Sequence, residues 1–219
     1  MSYYFDGATQ LITSTAPPIA DFPITICGWF KPASTSTTQT MFTFGVSSST
    51  RSYVSIAVNT GPVWSMESVD TGGTGRIFNS SVSLQTNVWQ FVCASWDGDT
   101  ATSTVNSRRI IVNTTKNTSA TSFIINATTT WDRLSIGARR RSTIDEYYNG
   151  DAAECAAWNA ILDDDEIFSM ADGVKPSQIR PQNLKFYAPL VRDVYDVFSG
   201  TPLTLTNAPT VSDHVRRYG

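Results

Sequence analysis

ITICGWF, residues 24–30, is the stretch on which the fold turns. In an extended chain Ile24, Ile26, Gly28 and Phe30 fall on one face, and Thr25, Cys27 and Trp29 on the other. Both faces carry apolar groups, so the segment predicts a strand covered at least in part on each side. The same two-residue period returns in TMFTFGV (40–46), YVSIAVN (53–59), VWSMESV (63–69), WQFVCASW (89–96), RRIIVN (108–113), SFIIN (122–126) and DRLSIGA (132–138). Turn-forming sequences separate these runs, among them NTGP (59–62), TGGTG (71–75) and WDGD (96–99). Many short strands with hardly any helical period predict an all-β fold of two packed antiparallel sheets.

One helix stands out. In LDDDEIFSM (162–170) Asp163 is placed as an N-cap, and Glu166 three residues on can reach back to the cap's backbone N–H. The acidic side chains there also meet the positive end of the helix dipole. Asp172, Gly173 and Pro176 end the helix. The acidic density of GDAAECAAWNAILDDDEI (150–167) thereby splits into a strand carrying Asp151 and Glu154 and a helix start carrying the rest.

A chain of 219 residues is long enough for one domain with a sizeable core. The formal net charge of −3 provides no positive field for a phosphate backbone, so nucleic acid is not an expected partner. The one basic run, Arg139 to Arg141, sits beside Asp145 and Glu146 and reads as a solvated loop or a local subunit contact. Cys27, Cys93 and Cys155 are odd in number and each lies in an apolar stretch, which predicts buried free thiols. No apolar run approaches membrane-spanning length, and MSYYFDGATQLI at the start lacks the pattern of a secretion signal; a membrane is not an expected partner. The single histidine, His214, lies in the final segment, away from any serine or cysteine context that would suggest a triad.

The order of these pieces resembles the laminin-G-like, or concanavalin-A-like lectin/glucanase, jelly-roll family, in particular the single-domain forms of bacteriophage structural proteins. The resemblance rests on YFDG (4–7), ITICGWFKP (24–32), FTFG (42–45), WQFVCASWDG (89–98), LSIG (134–137) and YNGDAAECAAWNAIL (148–162), followed by the capped helix. It implies a sandwich over residues 1–190. Residues 191–219 are expected as an extended C-terminal arm, and LKFYAPL (184–190), DVFSG (196–200) and LTLT (203–206) look like the ending of such domains in phage virion proteins.

The glucanase branch carries its acids as Glu-x-Asp-x-Glu on one strand, a spacing that places all three on one face. Nothing here matches it: Glu67 and Asp70 are three apart, and Asp145 and Glu146 are adjacent. The chain is therefore not expected to be an enzyme, unless carboxylates from different strands converge. Relatives also bind calcium near the first strand and a late Gly-x-Ile-Asp-Glu-Val segment. Here the segment's Asp is Ala153, leaving Asp6, Asp151 and Glu154 as the possible ligands. A lectin would need aromatic platforms; Trp64, Trp131, Tyr53 and Tyr147 are the candidates not already at packing positions of the fold. The expected function is a non-enzymatic virion protein, assembled in the host cytoplasm. It would decorate a capsid or form a head or tail appendage, act as a homo-oligomer and contact capsid or tail proteins. The alternative is a module that binds host surface glycans.

Overall fold

The strand that begins at Ile24 forms the middle of one of two packed antiparallel sheets. In the computed structural model, residues 2–213 are described apart from 60, 71, 74, 99–107, 119–129 and 193. Strands are numbered in chain order. The first sheet runs β10 (Thr115–Thr118), β9 (Arg108–Val112), β8 (Gln90–Trp96), β3 (Ile24–Pro32), β14 (Asn149–Trp158), β1 (Ser2–Asp6) and β19 (Thr210–Ser212), with β15 (Leu184–Ala188) also paired to β14. The second runs β18 (Thr204–Thr206), β2 (Leu11–Ser14), β11 (Arg133–Ile136), β4 (Gln39–Gly45), β5 (Tyr53–Asn59), β6 (Val63–Val69) and β7 (Gly75–Ser83). Two short pairs, β12 (Arg139–Arg140) with β13 (Ile144–Asp145) and β16 (Tyr195–Asp196) with β17 (Thr201–Pro202), lie outside these sheets.

The alternation in ITICGWF is realised on both faces of the first sheet. Ile24, Ile26 and Phe30 enter the core between the sheets, where they join Phe42, Phe44, Ile56 and Trp64 of the second sheet. Cys27 and Trp29 point the other way, into a second apolar layer with Phe91, Cys93, Ile111 and Trp158. Helix α1 (Asp164–Ala171) covers that layer with Ile167 and Met170. Burial of each large side chain of this kind stabilises the fold by roughly 2 kcal/mol, so the sheet is held from both sides.

The helix start absorbs most of the acidic cluster. Asp163 is the N-cap, and Glu166 Oε2 accepts its backbone N–H at 2.7 Å. Arg180 bridges Asp163 and Glu166 at 3.0 and 2.7 Å. Asp164 is taken by Arg109 of β9 and Lys116 of β10, each at 2.7 Å, which ties the helix to the edge of the first sheet.

The segment after residue 190, expected as an extended arm, joins the sandwich instead. Leu205 pairs with Ile12 and adds β18 to the second sheet, while Val211 pairs with Tyr3 and adds β19 to the first. Leu203, just before β18, is buried in the common core. The runs Thr-Leu-Thr and Thr-Val-Ser are rich in β-branched residues, and β1 and β2 offer them unpaired edges. His214 and the SFIIN run lie outside the described residues.

Candidate functional site

The first sheet is apolar on both faces; the second is not. In β5, Val54, Ile56 and Val58 enter the core, which turns Tyr53, Ser55, Ala57 and Asn59 outward. In β6, Trp64 and Met66 enter the core and Ser65, Glu67 and Val69 turn outward. The register aligns one outward row across five strands: Ser135 beside Thr43, Thr43 beside Ser55, Ser55 beside Glu67, and Glu67 beside Ile77. This row is polar except at its outer end.

The segment from Gly137 to Asn149, which includes β12 and β13, folds over this polar face. Gly137 N–H donates to Met41 O at 2.9 Å, Thr40 N–H to Glu146 O at 2.9 Å, and Ser135 Oγ to Ala138 O at 2.7 Å. Gly45 makes the close approach possible, because a Cβ there would lie 2.8 Å from the Arg140 carbonyl oxygen. Beneath the segment is a cavity of about 410 Å³, floored by Tyr53, Asn59 and Glu67, walled by Arg139 and Glu146, and rimmed by Arg76 and Ile77 of β7. That volume lies within the range of pockets that hold small ligands.

Arg139 organises the charge. Its Nε and Nη2 donate to the two oxygens of Asp145 at 2.9 and 3.2 Å, and Nη2 also meets Glu146 Oε1 at 2.6 Å. Its Nη1 donates to Tyr53 Oη at 3.1 Å and lies 3.8 Å from Glu67 Oε2. Every nitrogen of the guanidinium is thereby occupied. Arg141 adds a second contact to Asp145 at 2.7 Å. Both guanidinium groups stack on the Tyr53 ring, 5.3 and 5.2 Å from its centroid.

The two carboxylates facing the cavity are held differently. Glu146 Oε2 accepts Thr40 Oγ1 at 2.8 Å, a firm bond, and its backbone sits at φ +50°, a left-handed conformation rare outside glycine. Glu67, only 3% exposed, accepts Tyr53 Oη and Ser55 Oγ at 3.5 Å, the outer limit of hydrogen bonding. Burial pushes the Glu67 carboxyl above its ordinary pKa, and the charge of Glu146 adds to the effect; Arg139 opposes both. Burial likewise raises Glu146 against the pull of Arg139. Burial and the neighbouring Glu67 push the Tyr53 phenol up to about 12. Burial would raise Asp145 too, but hydrogen bonds and charge from Arg139 and Arg141 hold it below the ordinary range.

Of the four aromatic residues expected to stack on a sugar, the structure brings only Tyr53 to this cavity. Trp64 is fully buried between the sheets, with its Nε1 donating to Gln90 Oε1 at 3.1 Å. Trp131 is also in the core, edge-on to Phe22. Neither is accessible to a glycan, because each occupies an inward position. Tyr147 is half-buried and does not line the cavity. The ring of Tyr53 is already stacked by two arginines, so its contribution is polar.

The expected calcium ligands do not converge, and among the described residues no three acidic, histidine or cysteine side chains are grouped to hold a metal. Asp6 Oδ1 caps its own turn by accepting the N–H groups of Ala8 and Thr9 at 2.9 Å and of Gln10 at 3.2 Å. Asp151 pairs with Lys31 at 3.3 Å. Glu154 sits in a β-bulge at φ +52° and accepts the Tyr187 hydroxyl. Each side chain is spent on a separate local task.

The arginine run, read as a solvated loop or a local subunit contact, is half-buried, with Arg139 lining the cavity, and Glu67 and Glu146 are site residues that sequence reasoning missed. Glu67 of β6 reaches the cavity together with Glu146, which lies just beyond β13 and not on a strand, so the condition set for an enzyme, carboxylates converging from different strands, is approached by one strand acid only.

A family model described as the concanavalin A-like lectin/glucanases superfamily matches residues 6–168. A comparison of the sequence with curated proteins returns no match. Among solved structures, a heptameric SAP-like pentraxin from Limulus polyphemus is 16% identical with a TM-score of 0.61, the alignment covering 80% of this chain and 84% of that one. The CBM40 domain of the Ruminococcus gnavus IT-sialidase, solved bound to α2,3-sialyllactose, is 16% identical with a TM-score of 0.56, covering 70% and 84%. A K499G mutant of the NanB sialidase from Streptococcus pneumoniae is 18% identical with a TM-score of 0.58, covering 77% of this chain and 27% of that one. At these identities the likeness is one of fold.

Proposed function

Because the chain belongs to the concanavalin A-like lectin/glucanase superfamily, we propose that it is a carbohydrate-binding module whose site is the cavity on the outer face of the second sheet. The observation that carries this reading is the pair of carboxylates, buried Glu67 and half-buried Glu146, fixed at a cavity of ligand size by Arg139. Sugar hydroxyls are donors, and a hydrogen bond to an ionised acceptor is worth roughly 1.5–3 kcal/mol, more than one between neutral groups. Ile77 at the rim, 58% exposed, supplies an apolar surface for the C–H face of a ring. The presence of carbohydrate-binding domains and sialidases among the similar folds supports the same class.

Two carboxylates are also the equipment of a glycoside hydrolase. Here both are engaged by one arginine, which partly offsets their charge and holds them in place; this favours binding without turnover. A glycan array on the intact protein, followed by calorimetry on the best ligand, tests the proposal. Binding that falls at least tenfold in Glu67→Gln supports it, and no ligand above background rejects it. Release of reducing ends from the bound glycan would move the protein into the enzyme class.

Assembly into a bacteriophage particle is a second reading. It rests on the phage-like sequence ending and on the exposed apolar side chains beside β16 and β17, where Tyr195, Val197 and Phe198 are 41–51% exposed. Such a patch suits a protein partner. Co-purification with particles tests it, and a chain that stays free when particles form would refute it.

A further inference from the structure

Resting on the carbohydrate-binding reading, we propose that the cavity selects a sugar bearing a free amino group, held as an ammonium against the Glu67 and Glu146 carboxylates, and that it rejects carboxylated sugars.

The argument is an accounting of donors and charges at the cavity floor. An anionic sugar is ordinarily held by a guanidinium whose N–H groups are open to it. Arg139, the guanidinium in the wall, is occupied at each nitrogen by Asp145, Glu146, Tyr53 and Glu67. Arg141 is committed to Asp145 and to the Thr50 carbonyl, and its face is stacked on Tyr53. Tyr53 Oη receives an Arg139 N–H and turns its own proton toward Glu67. Apart from the Asn59 amide, whose Nδ2 donates to Ser65 Oγ at 3.2 Å, the floor and wall present acceptors.

The placement of charge points the same way. The lining sets two carboxylates, Glu67 and Glu146, against two guanidinium groups, Arg139 and Arg76; the carboxylates lie at the floor and wall, where Arg139 is already bonded to them, and Arg76 stands at the rim. Glu67 makes its contacts at 3.5 Å and beyond, so its carboxylate is loosely held and gains from a closer donor. A sugar carboxylate placed at the floor would meet two like charges beside a guanidinium whose nitrogens are already bonded. Arg76 stands at the rim, where a sugar's acidic substituent would have to remain outside.

The test is calorimetry of the full chain with three probes: glucosamine oligosaccharides, N-acetylglucosamine oligosaccharides of the same length, and sialyllactose. Binding of the free amine at least about tenfold tighter than its acetylated counterpart is expected, since one charge-assisted bond replaces a neutral one. Sialyllactose should give no heat of binding. Glu67→Gln, nearly isosteric, should shrink the preference for the amine, and Glu146→Gln provides the same readout should the first variant fold poorly. Equal or tighter binding of the acetylated sugar, or binding of sialyllactose, overturns the inference while leaving the carbohydrate-binding reading intact. Failure of all three probes, together with an empty glycan array, removes both.

Discussion

Replacing Arg139 by methionine isolates the contribution of the charge at the centre of the cavity. Methionine keeps much of the aliphatic stem, and the guanidinium alone is lost. Three carboxylates lose a partner, but not equally. The Asp145 side chain is 37% exposed and keeps Arg141 at 2.7 Å, so water and the second arginine compensate it. Glu67, with its side chain 4% exposed, and Glu146 at 19% carry the cost. Breaking a buried ion pair by removing one partner costs about 3–5 kcal/mol. Partial hydration of Glu146 reduces this to about 2–3 kcal/mol, or a fall in Tm of roughly 5–10 °C for a chain of this size. The pH dependence gives the sharper signature. Burial already holds Glu67 and Glu146 above their ordinary pKa, and losing Arg139 raises them further. A carboxyl whose folded pKa exceeds its unfolded one binds more protons in the folded state, so stability falls as pH rises from the unfolded pKa through the folded one. The deficit of Arg139→Met should accordingly be small in mild acid and full above neutrality, as read by urea denaturation across pH 5–8. Adding Glu67→Gln should recover part of it. A loss under about 1 kcal/mol at pH 8, typical of an exposed pair, or a loss unchanged by pH, would refute the account of a buried, arginine-compensated site.

Ending the chain at Gly200 should lower Tm markedly or abolish soluble expression, because it strips the strand partners of β1 and β2 and removes buried Leu203; an unchanged Tm would show that the segment is a dispensable arm. Cys27, Cys93 and Cys155 should resist a thiol reagent in the native protein and react once unfolded, since all are buried and burial pushes the Cys93 thiol up to about 12; fast native labelling counts against this packing. Millimolar calcium or a chelator should leave Tm unchanged, because Asp6 and Asp151 are already bonded within the chain; a calcium-dependent rise would restore the ligand set suggested by family resemblance.

The fold was legible because its instructions are local. The two-residue period of ITICGWF foretold apolar cover on both faces, and the Asp163 to Glu166 spacing foretold the helix start. The site was not legible in that way. Glu67 lies on β6 and Glu146 just beyond β13, and no spacing within either segment announces that residues 137–149, which carry Glu146, fold over the sheet. Charge pattern suggested a solvated loop or a subunit contact for Arg139 to Arg141; their partial burial depends on Gly45 admitting the segment and on Tyr53 giving two guanidinium groups a face to stack on.

One signal was present and went unused. In VWSMESV, Trp64 shares its parity with Met66, and Glu67 with Ser65. An apolar pair on one parity and a polar pair on the other identifies which side faces the core. It therefore predicts that Trp64 is packing and that Glu67 belongs to the outer face. The same test on YVSIAVN sends Val54, Ile56 and Val58 inward and joins Tyr53 and Ser55 to Glu67. Trp64 lies on the inward parity, since a large ring on a strand of a sandwich is worth most in the core. The more informative signal is a carboxylate beside serines on the outward parity of a strand paired on both sides, because an isolated charge is costly to cover unless a partner comes from elsewhere in the chain. Arg139 is that partner here. Reading the parity of each strand before assigning its aromatics would have found the floor of the cavity, though not the segment that closes over it.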